Sequence, residues 1–465
     1  MGHQIEVSLS LCTIIEQELQ IQNLSLQQLS QITGINRGVL SACFTKIPPK
    51  SLSIKQLDNI TAVLGKHGDW LYETYVDECL SKKIHWKQLK PVLLRCVDLN
   101  RYDLIEKVLS QLTESQTHIQ DIFLLGELLY SEGRWTEAIP FYRCVCENEI
   151  KQHSTRMAMS QYRWFRTRLG NDLKENHEAA IQFSPFRQRL PENFQLDALL
   201  QLANVHFTLQ NWEEVIIYAK ELQTLTNIIL HQRNNPRRKG NKVEPMLTDR
   251  HFVFYYGQAH LLQGNALEWM GEYEKSLEFI QGYEDLSGFQ NLGYIGQLEV
   301  TKFQRFAEAN LLNVNMLMGN FNFLHQFILF LDQYSNEWLP CFLTIVMAAN
   351  QYEQNIDEAI EHYDEHLEKI FHDYKNINHG HYQQSFSLQR AAKLCYRLAI
   401  YYYREDRIET GIEWLLQALR YSIQSNNQAL TLHCVAYFEQ FRKYALPQSV
   451  ISEYELIMRG VIENA

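Results

Sequence analysis

The stretch LSLQQLSQITGINRGVLSACFTKIPPKSLSIKQLDNITAVLG, residues 24–65, decides the fold of the N-terminal part of the chain. Leu26, Leu29 and Ile32 recur at helical spacing and predict the buried stripe of a first short helix. Gly34 then supplies the permissive backbone of a tight turn. The apolar face of a second helix is formed by Ile35, Val39, Leu40 and Phe44. We therefore expect two short amphipathic helices around a tight turn.

Polar positions on this helix pair suit contact with DNA, because such pairs place their second helix in the major groove. Asn36 is placed to cap the second helix. Arg37, Gly38 and Ser41 are expected to face bases, which leaves phosphate contact to the flanking polar and basic positions. The full set of expected DNA contacts is Gln27, Asn36, Arg37, Gly38, Ser41, Thr45, Lys46 and Lys50, of which Gln27, Lys46 and Lys50 would hold phosphate.

The elements that follow extend this pattern. Residues 47–50, IPPK, lead into an amphipathic run from Ile54 to Leu64 that predicts a covering helix. This order resembles the Cro and phage-repressor type of helix-turn-helix. Ala42 stands where many such proteins carry a long polar base-reading side chain, so we expect narrow or indirect sequence readout. Helix pairs of this kind also occur inside all-helical cores, which leaves a purely structural role as the alternative.

The charge of the chain is unevenly distributed. The net charge is −11, yet residues 1–70 hold five acidic and five basic side chains, so the whole deficit lies downstream. Affinity for the DNA backbone comes from clustered lysine and arginine. The N-terminal segment, residues 1–70, which we call the head, is neutral, whereas the rest of the chain is acidic. This distribution favours oriented contact with DNA over nonspecific coating. Dimerisation would compensate for the modest affinity of each monomer.

Cysteine usage and hydropathy predict a reduced, cytoplasmic setting. The nine cysteines lie far apart except for Cys144 and Cys146, and no zinc-ligand spacing or disulfide framework is apparent. The most apolar stretch, residues 339–349, contains Pro340 and is too short to cross a bilayer. We expect no membrane partner.

Beyond about residue 65 the chain alternates between helical patterns separated by recurring turns. Each turn begins with a small or polar residue. An aromatic residue or isoleucine follows two positions later, and a small or aliphatic residue follows three positions after that. The anchors are Asn100/Tyr102/Ile105, Gly133/Trp135/Ala138, Gln210/Trp212/Val215, Gly271/Tyr273/Ser276, Gly319/Phe321/Leu324, Gln354/Ile356/Ala359 and Asp406/Ile408/Gly411. The unit from Leu125 to Ile139 resembles the core of a tetratricopeptide (TPR) repeat.

Stacked helix hairpins bury the apolar face that each hairpin leaves uncovered and wind into a superhelix with a concave groove. The fold class predicted is therefore all-α, with a helix-turn-helix domain in residues 1–68 and a degenerate TPR-like array in residues 69–465 that binds peptide and dimerises. A bundle of unrelated helix hairpins is the alternative.

Amides and cations interrupt the apolar helices of this array. Amides suit the backbone of an extended peptide because they donate and accept at once, and arginines suit its carboxylates. Structural hydrogen bonds and surface snorkelling are the alternative roles. The expected peptide contacts are Arg163, Arg166, Gln201, Asn204, Asn310, Asn313, Asn350 and Arg397.

No sequence motif predicts an enzyme. His362 and His366 fit the H-x-x-E-H pattern of some zinc proteases, but the apolar stripe Ile360, Tyr363, Leu367 and Ile370 places both imidazoles on a hydrated helix face. The nucleophile elbow, the Walker-type phosphate loop and the dinucleotide fingerprint are missing from the sequence. We expect no catalysis, metal or cofactor.

A phage-repressor-like head on a long degenerate repeat array resembles the peptide-sensing regulators of Gram-positive bacteria, the group of Rap, NprR, PlcR, PrgX and Rgg. Segments such as QLDALLQLANVHFTLQNWEEVIIYAKEL, residues 195–222, are most similar to the arbitrium receptors (AimR) of Bacillus phages and their chromosomal relatives. The resemblance implies a cytoplasmic, homodimeric quorum-sensing transcription regulator. Its repeat groove would bind a short imported signalling peptide and thereby change the affinity of the head for operator DNA.

Two further expectations accompany this reading. The C-terminal helices, residues 388–462, are the expected dimer contact, because a terminal repeat otherwise exposes its apolar side. The alternative function is a Rap-like scaffold, in which the groove binds a signalling partner and the head does not bind DNA.

Overall fold

A computed structural model describes residues 10–45, 51–81, 85–114, 117–149, 154–170, 172–234, 247–372, 384–442 and 447–463. Within these ranges every regular element is a helix and no residue lies in a strand. The all-α class is therefore confirmed. The chain divides into two compact units, Met1–Ala198 and Leu199–Ala465.

The helices of unit one are short to medium in length. They are α1 (Leu11–Ile21), α2 (Leu26–Thr33), α3 (Arg37–Thr45), α4 (Ile54–Val63), α5 (Tyr72–Leu80), α6 (Trp86–Asp98), α7 (Tyr102–Thr113), α8 (Ile119–Ser131), α9 (Trp135–Asn148), α10 (Thr155–Arg168) and α11 (Leu173–Phe183), followed by the 3₁₀ helix Ser184–Arg189. Helix α12 (Glu192–Thr208) contains the residues on both sides of the unit boundary.

Unit two contains the longest helices of the described chain. They are α13 (Trp212–Asn234), α14 (Phe252–Trp269), α15 (Tyr273–Ile280), α16 (Gly293–Leu317), α17 (Leu324–Gln333), α18 (Trp338–Gln351), α19 (Asp357–His362), α20 (Asp364–His372), α21 (Gln384–Arg404), α22 (Ile408–Gln424), α23 (Gln428–Phe441) and α24 (Gln448–Glu463), with short 3₁₀ turns at Phe321–Phe323 and Ser335–Glu337.

The aligned turns of the sequence coincide with the turns of the structure. Their first residues adopt the left-handed backbone that ends a helix, a conformation that glycine and asparagine tolerate best. Positive φ occurs at Asn100 (55°), Gly133 (78°), Gln210 (59°), Gly271 (79°), Gly319 (83°) and Asp406 (56°). At the remaining anchor the left-handed residue is Glu353 (53°), one position before the expected Gln354.

The other two anchor positions also have the expected roles. The aromatic residue begins the second helix of the hairpin, as Tyr102 begins α7, Trp135 begins α9 and Tyr273 begins α15. The small residue three positions later is buried, as at Ala138 and Ser276. Packed helix hairpins are confirmed at five of the aligned turns, as α6 with α7, α8 with α9, α14 with α15, α16 with α17 and α21 with α22. The assignment of the hairpins to the TPR class stays a prediction.

The core of unit one is continuous from the head into the hairpins. One cluster of buried side chains extends from Leu11 in α1 through Leu57 in α4 to Val145 in α9. Tyr72 in α5 donates a hydrogen bond of 2.5 Å to the Asp58 carboxylate of α4, which joins the head to the next helix. The head therefore shares its core with the following helices, and the domain boundary at residue 68 stays a prediction.

Two local expectations are wrong. Ile32, expected in the buried stripe of the first helix, is 60% exposed, whereas Leu29 is fully buried. The single helix expected to carry the stripe from Ile360 to Ile370 is interrupted at Tyr363, which has φ −107° and ψ 22° and separates α19 from α20. Its predicted apolar stripe is nevertheless buried, as Ile360, Tyr363, Leu367 and Ile370.

Helices α14, α16, α18 and α21 of unit two pack side by side in that order and form one layer. Helices α15, α17 and α22 pack onto this layer. Close approach within the layer depends on Gly257 of α14, because a Cβ there would lie 2.5 Å from Cζ of the fully buried Phe303 in α16. Buried aromatic carbons cannot move aside without disturbing the core.

We expect Gly257→Ala to destabilise the protein by about 1–3 kcal/mol, the usual cost of overpacking a core. Thermal unfolding measures this as a lower midpoint. Gly288→Ala is the matched control, because a Cβ at Gly288 meets no atom within 4 Å. Equal midpoints for the two variants would contradict the proposed role of this close contact.

None of the described helices combines the length and apolar character that crossing a bilayer requires.

Candidate functional site

Helices α2 and α3 are joined by a tight turn whose backbone is fixed by short-range hydrogen bonds. Gly34 ends α2 with φ 71°. The Ser30 hydroxyl donates to the carbonyl of Ile35 over 2.6 Å. Asn36 accepts a hydrogen bond from the Gly38 amide over 2.7 Å, which confirms its predicted capping role. A second cap, the reciprocal pair of Ser25 and Gln28, fixes the start of α2.

The predicted DNA-facing positions form one exposed stripe on this element. Arg37, Ser41 and Thr45 follow each other at four-residue spacing, with Ser41 half-buried and the other two exposed. Gln27, Asn36 and Gly38 are also exposed. The opposite face of α3 buries Leu40 and Cys43, and the helix packs against α1 and α2. Lys46 and Lys50 lie outside the described residues. Their roles, like those of the whole set, stay predictions.

Ala42 is not on this stripe. Its side chain is only 9% exposed and belongs to the buried side of α3. The effect of Ala42 on sequence readout stays a prediction.

Arg163 of α10 has an internal partner. Its Nε and Nη2 donate to the two carboxylate oxygens of Glu127 in α8, over 3.0 and 3.2 Å. The guanidinium also lies 3.9 Å from the ring centroid of Tyr130. Tyr142 donates to the same carboxylate over 2.6 Å. This network ties α8, α9 and α10 together.

Arg166, one turn later, is engaged in the same way. It forms an ion pair with Asp197, whose side chain is 7% exposed, and its Nη1 donates to the Tyr162 hydroxyl over 3.1 Å. Tyr162 in turn donates to Asp197 over 2.7 Å. Both arginines therefore have structural partners in unit one, and a peptide contact for either stays a prediction.

The other six predicted peptide contacts are in unit two. Asn204 of α12 is exposed and Gln201 is half-buried. Asn310 of α16 donates to the Tyr283 hydroxyl over 2.9 Å and to Oδ1 of Asn265 over 3.3 Å. Asn310 thus acts as a structural amide between α14 and α16.

Asn313 and Asn350 have oxygens without hydrogen bonds. Oδ1 of Asn313 and Oδ1 of Asn350 are both buried and accept no hydrogen bond in the described structure. The Asn350 nitrogen donates to the backbone carbonyl of Arg397 over 2.8 Å, which places this amide beside α21. Buried polar atoms normally have partners, so an unsatisfied amide oxygen indicates an unfilled contact.

Three residues that were not predicted from the sequence lie along the same layer. Lys393 of α21 is half-buried, and its Nζ lies 5.8 Å from the ring centroid of Trp269. Trp269 ends α14, stays 55% exposed and stacks on Trp212. Glu268 precedes it. We call Glu268, Asn310, Asn313, Asn350, Lys393 and Arg397 the polar row.

Charges in the polar row are poorly solvated. Burial raises the pKa of Glu268 to about 7. The pKa of Lys393 is lowered, mainly by burial and further by the positive charges of Arg390 and Arg397. Neither Glu268 nor Lys393 has an ion-pair partner among the described residues. Charged groups desolvated without partners are typical of ligand sites.

The raised pKa of Glu268 predicts a pH-dependent stability. Between its ordinary value of 4.5 and about 7, the unfolded chain releases this proton and the folded chain keeps it. Stability therefore falls as the pH rises through this window. We expect Glu268→Gln to match the parent protein at pH 4 and to exceed its thermal midpoint at pH 8. A gain of equal size at both pH values would contradict this assignment.

The H-x-x-E-H motif does not form a metal centre in the structure. His362 pairs with Asp332 over 2.9 Å, and no group of histidine, cysteine or carboxylate side chains in the described residues is arranged to hold a metal.

No model of a known protein family matches the sequence, and no curated protein matches it with significant similarity.

Proposed function

We propose that this protein is a peptide-responsive transcription regulator that binds operator DNA through α2 and α3 and a short signalling peptide along the polar row. The single observation that carries the proposal is the exposed stripe Arg37, Ser41 and Thr45 on a capped helix after a left-handed glycine turn. A short polar helix face presented by a rigid scaffold suits the edges of bases in a major groove.

The polar row supports the peptide part of the proposal. Buried amide oxygens without hydrogen bonds suit the N–H groups of an extended chain, and the cations of α21 suit its carboxylates. Trp269 and Lys393 meet although α16 and α18 lie between their helices, so the layer curves towards itself. Curvature of this kind produces the concave binding surface of a helical repeat protein.

Regulation would follow from thermodynamic linkage between peptide binding and DNA binding. A peptide that binds more tightly to one arrangement of the protein shifts the population towards it by that difference in affinity alone. Homodimerisation would place two heads on the two halves of an operator, and the effect of the peptide on DNA affinity would depend on which head spacing it favours.

A binding assay on the DNA immediately upstream of the gene for this chain tests the proposal. We expect a discrete footprint of operator size at moderate salt, and we expect its midpoint to shift when the secreted oligopeptide encoded next to the gene is added. Unrelated DNA of equal length is the control. Indifference to every upstream fragment, with and without peptide, would overturn the proposal.

The alternative is a scaffold whose groove binds a signalling protein. One observation favours it, since Arg37 is the only basic residue within α2 and α3. Affinity for phosphates depends on such charges. A footprint absent even at low salt, together with retained peptide binding, would favour the scaffold over the regulator.

A further inference from the structure

Two cations lie one helical turn apart on α21 without an anion between them. Lys393 and Arg397 are both half-buried, and neither has an ion-pair partner among the described residues. Like charges at this spacing destabilise a helix, and burial adds to the cost. No acidic side chain of the described residues forms an ion pair with either cation, and the charges that act on Lys393 are those of Arg390 and Arg397.

Lys393 lies beside two stacked tryptophan rings, those of Trp269 and Trp212. Its Nζ lies 5.8 Å from the centroid of Trp269, which stacks on Trp212 with ring centroids 5.5 Å apart and an interplanar angle of 6°. Trp269 is more than half exposed. The lysine is thus positioned by its neighbours, while the space beside the ring is open to solvent.

A hydrogen-bond acceptor accompanies these cations. The Asn350 side chain is fixed by its bond to the carbonyl of Arg397, and its buried Oδ1 accepts nothing in the described structure. A ligand group that satisfies all three side chains must combine negative charge with a nearby N–H donor. The end of a peptide has both, because its terminal carboxylate follows an amide N–H.

We infer that Lys393 and Arg397 hold the carboxylate end of the bound peptide, with Asn350 accepting from the N–H beside it. This inference rests on the proposed peptide function. It assigns a direction to the bound peptide. The carboxyl end lies at α21, and the rest of the peptide extends along the polar row towards Asn313 and Glu268. Trp269 then borders the ligand and reports its arrival by a change in fluorescence.

Random-sequence hexapeptide libraries test the inference on the full-length protein. One library has free C-terminal carboxylates, a second is C-terminally amidated, and each is also made without aspartate and glutamate. The immobilised protein is incubated with each library, and the retained peptide is quantified by mass spectrometry. Lys393→Met removes the charge and keeps the length of the side chain. Lys302→Met is the matched control, because Lys302 is also half-buried and lies 5.5 Å from an aromatic centroid.

We expect amidation to reduce retention at least tenfold in the libraries without acidic side chains. Lys393→Met should remove this difference, and Lys302→Met should preserve it. Equal retention of free and amidated peptides by the parent protein would overturn the inference and leave peptide binding intact. If retention instead depends on aspartate or glutamate, the carboxylate is that of a side chain and the assigned direction is wrong. If no library is retained, the proposed peptide function fails together with the inference.

Discussion

Replacing Arg37 by alanine should lower the affinity for operator DNA by about 5- to 150-fold, which is the loss of about 1–3 kcal/mol expected for a base-contacting arginine. Arg37 is exposed at the first position of α3 and is the only cation of the helix pair. Its removal deletes charge and base contact together. Fluorescence anisotropy with a labelled upstream duplex measures the change.

The same variant should leave the remainder of the protein intact. Arg37 makes no hydrogen bond or ion pair within the described residues, so its loss exposes no buried partner. Thermal midpoint and peptide affinity should therefore be unchanged. Lys87→Ala is the matched control, because Lys87 is an exposed cation on α6 of the same unit. If Arg37→Ala and Lys87→Ala weaken DNA binding equally, the stripe on α3 is not the DNA-reading surface.

The Arg37→Ala variant also tests whether the DNA contacts and the peptide contacts are separate. A regulator whose sites are linked by population shift should lose affinity for DNA and keep its intrinsic affinity for peptide. Parallel loss of both affinities, with the folding midpoint unchanged, would mean that peptide and DNA share contacts at the head.

Helices and turns were predictable from the sequence because local chemistry fixes them. A residue such as Gly133 or Asn100 tolerates the left-handed backbone that ends a helix, and the aromatic that follows marks the next helix start. Apolar periodicity likewise located Leu40 of α3 but not Ala42 and Cys43, the other two buried residues of that helix. Ile32 was misplaced, because periodicity identifies an apolar stripe without showing how much of it a neighbouring helix covers.

Partners distant in sequence were not predictable. Arg163 and Glu127 are separated by 36 residues, and nothing in either local segment identifies the other. The sequence therefore suggested a ligand-binding cation where the structure has an internal ion pair. Lys393 was missed for the related reason that its significance depends on Trp269 from another helix. The amides of α16 and α18 were found because a polar residue in an apolar helix is visible locally.

Replacing Arg166 by methionine should destabilise the protein by up to about 3–5 kcal/mol, the usual cost of removing one member of a buried ion pair. Asp197 is buried, whereas 24% of the Arg166 side chain is exposed. The Asp197 carboxylate, with 7% of its side chain exposed, would keep its charge and lose its cation. Tyr162 would remain as a neutral donor at 2.7 Å, which cannot balance the charge. Urea denaturation measures the free energy of unfolding.

Two further variants distinguish the loss of the Arg166–Asp197 ion pair from a general effect of removing an arginine. Arg143→Met removes an exposed cation that pairs with Glu147 over 2.8 Å, and such surface pairs contribute less than about 1 kcal/mol. Adding Asp197→Asn to Arg166→Met removes the uncompensated charge and keeps an acceptor for Tyr162. The double variant should therefore recover most of the lost stability, because Asp197→Asn removes the buried charge that Arg166 balances.

Arg166 was predicted from sequence as a peptide contact, and these variants separate that role from a structural one. In the stable double variant, a residue that only pairs with Asp197 leaves peptide affinity unchanged. A peptide contact instead loses affinity in the double variant, despite its recovered fold. A large loss of stability in Arg166→Met with unchanged peptide binding in the double variant would therefore make this arginine a structural tie between α10 and α12 and remove it from the predicted peptide contacts.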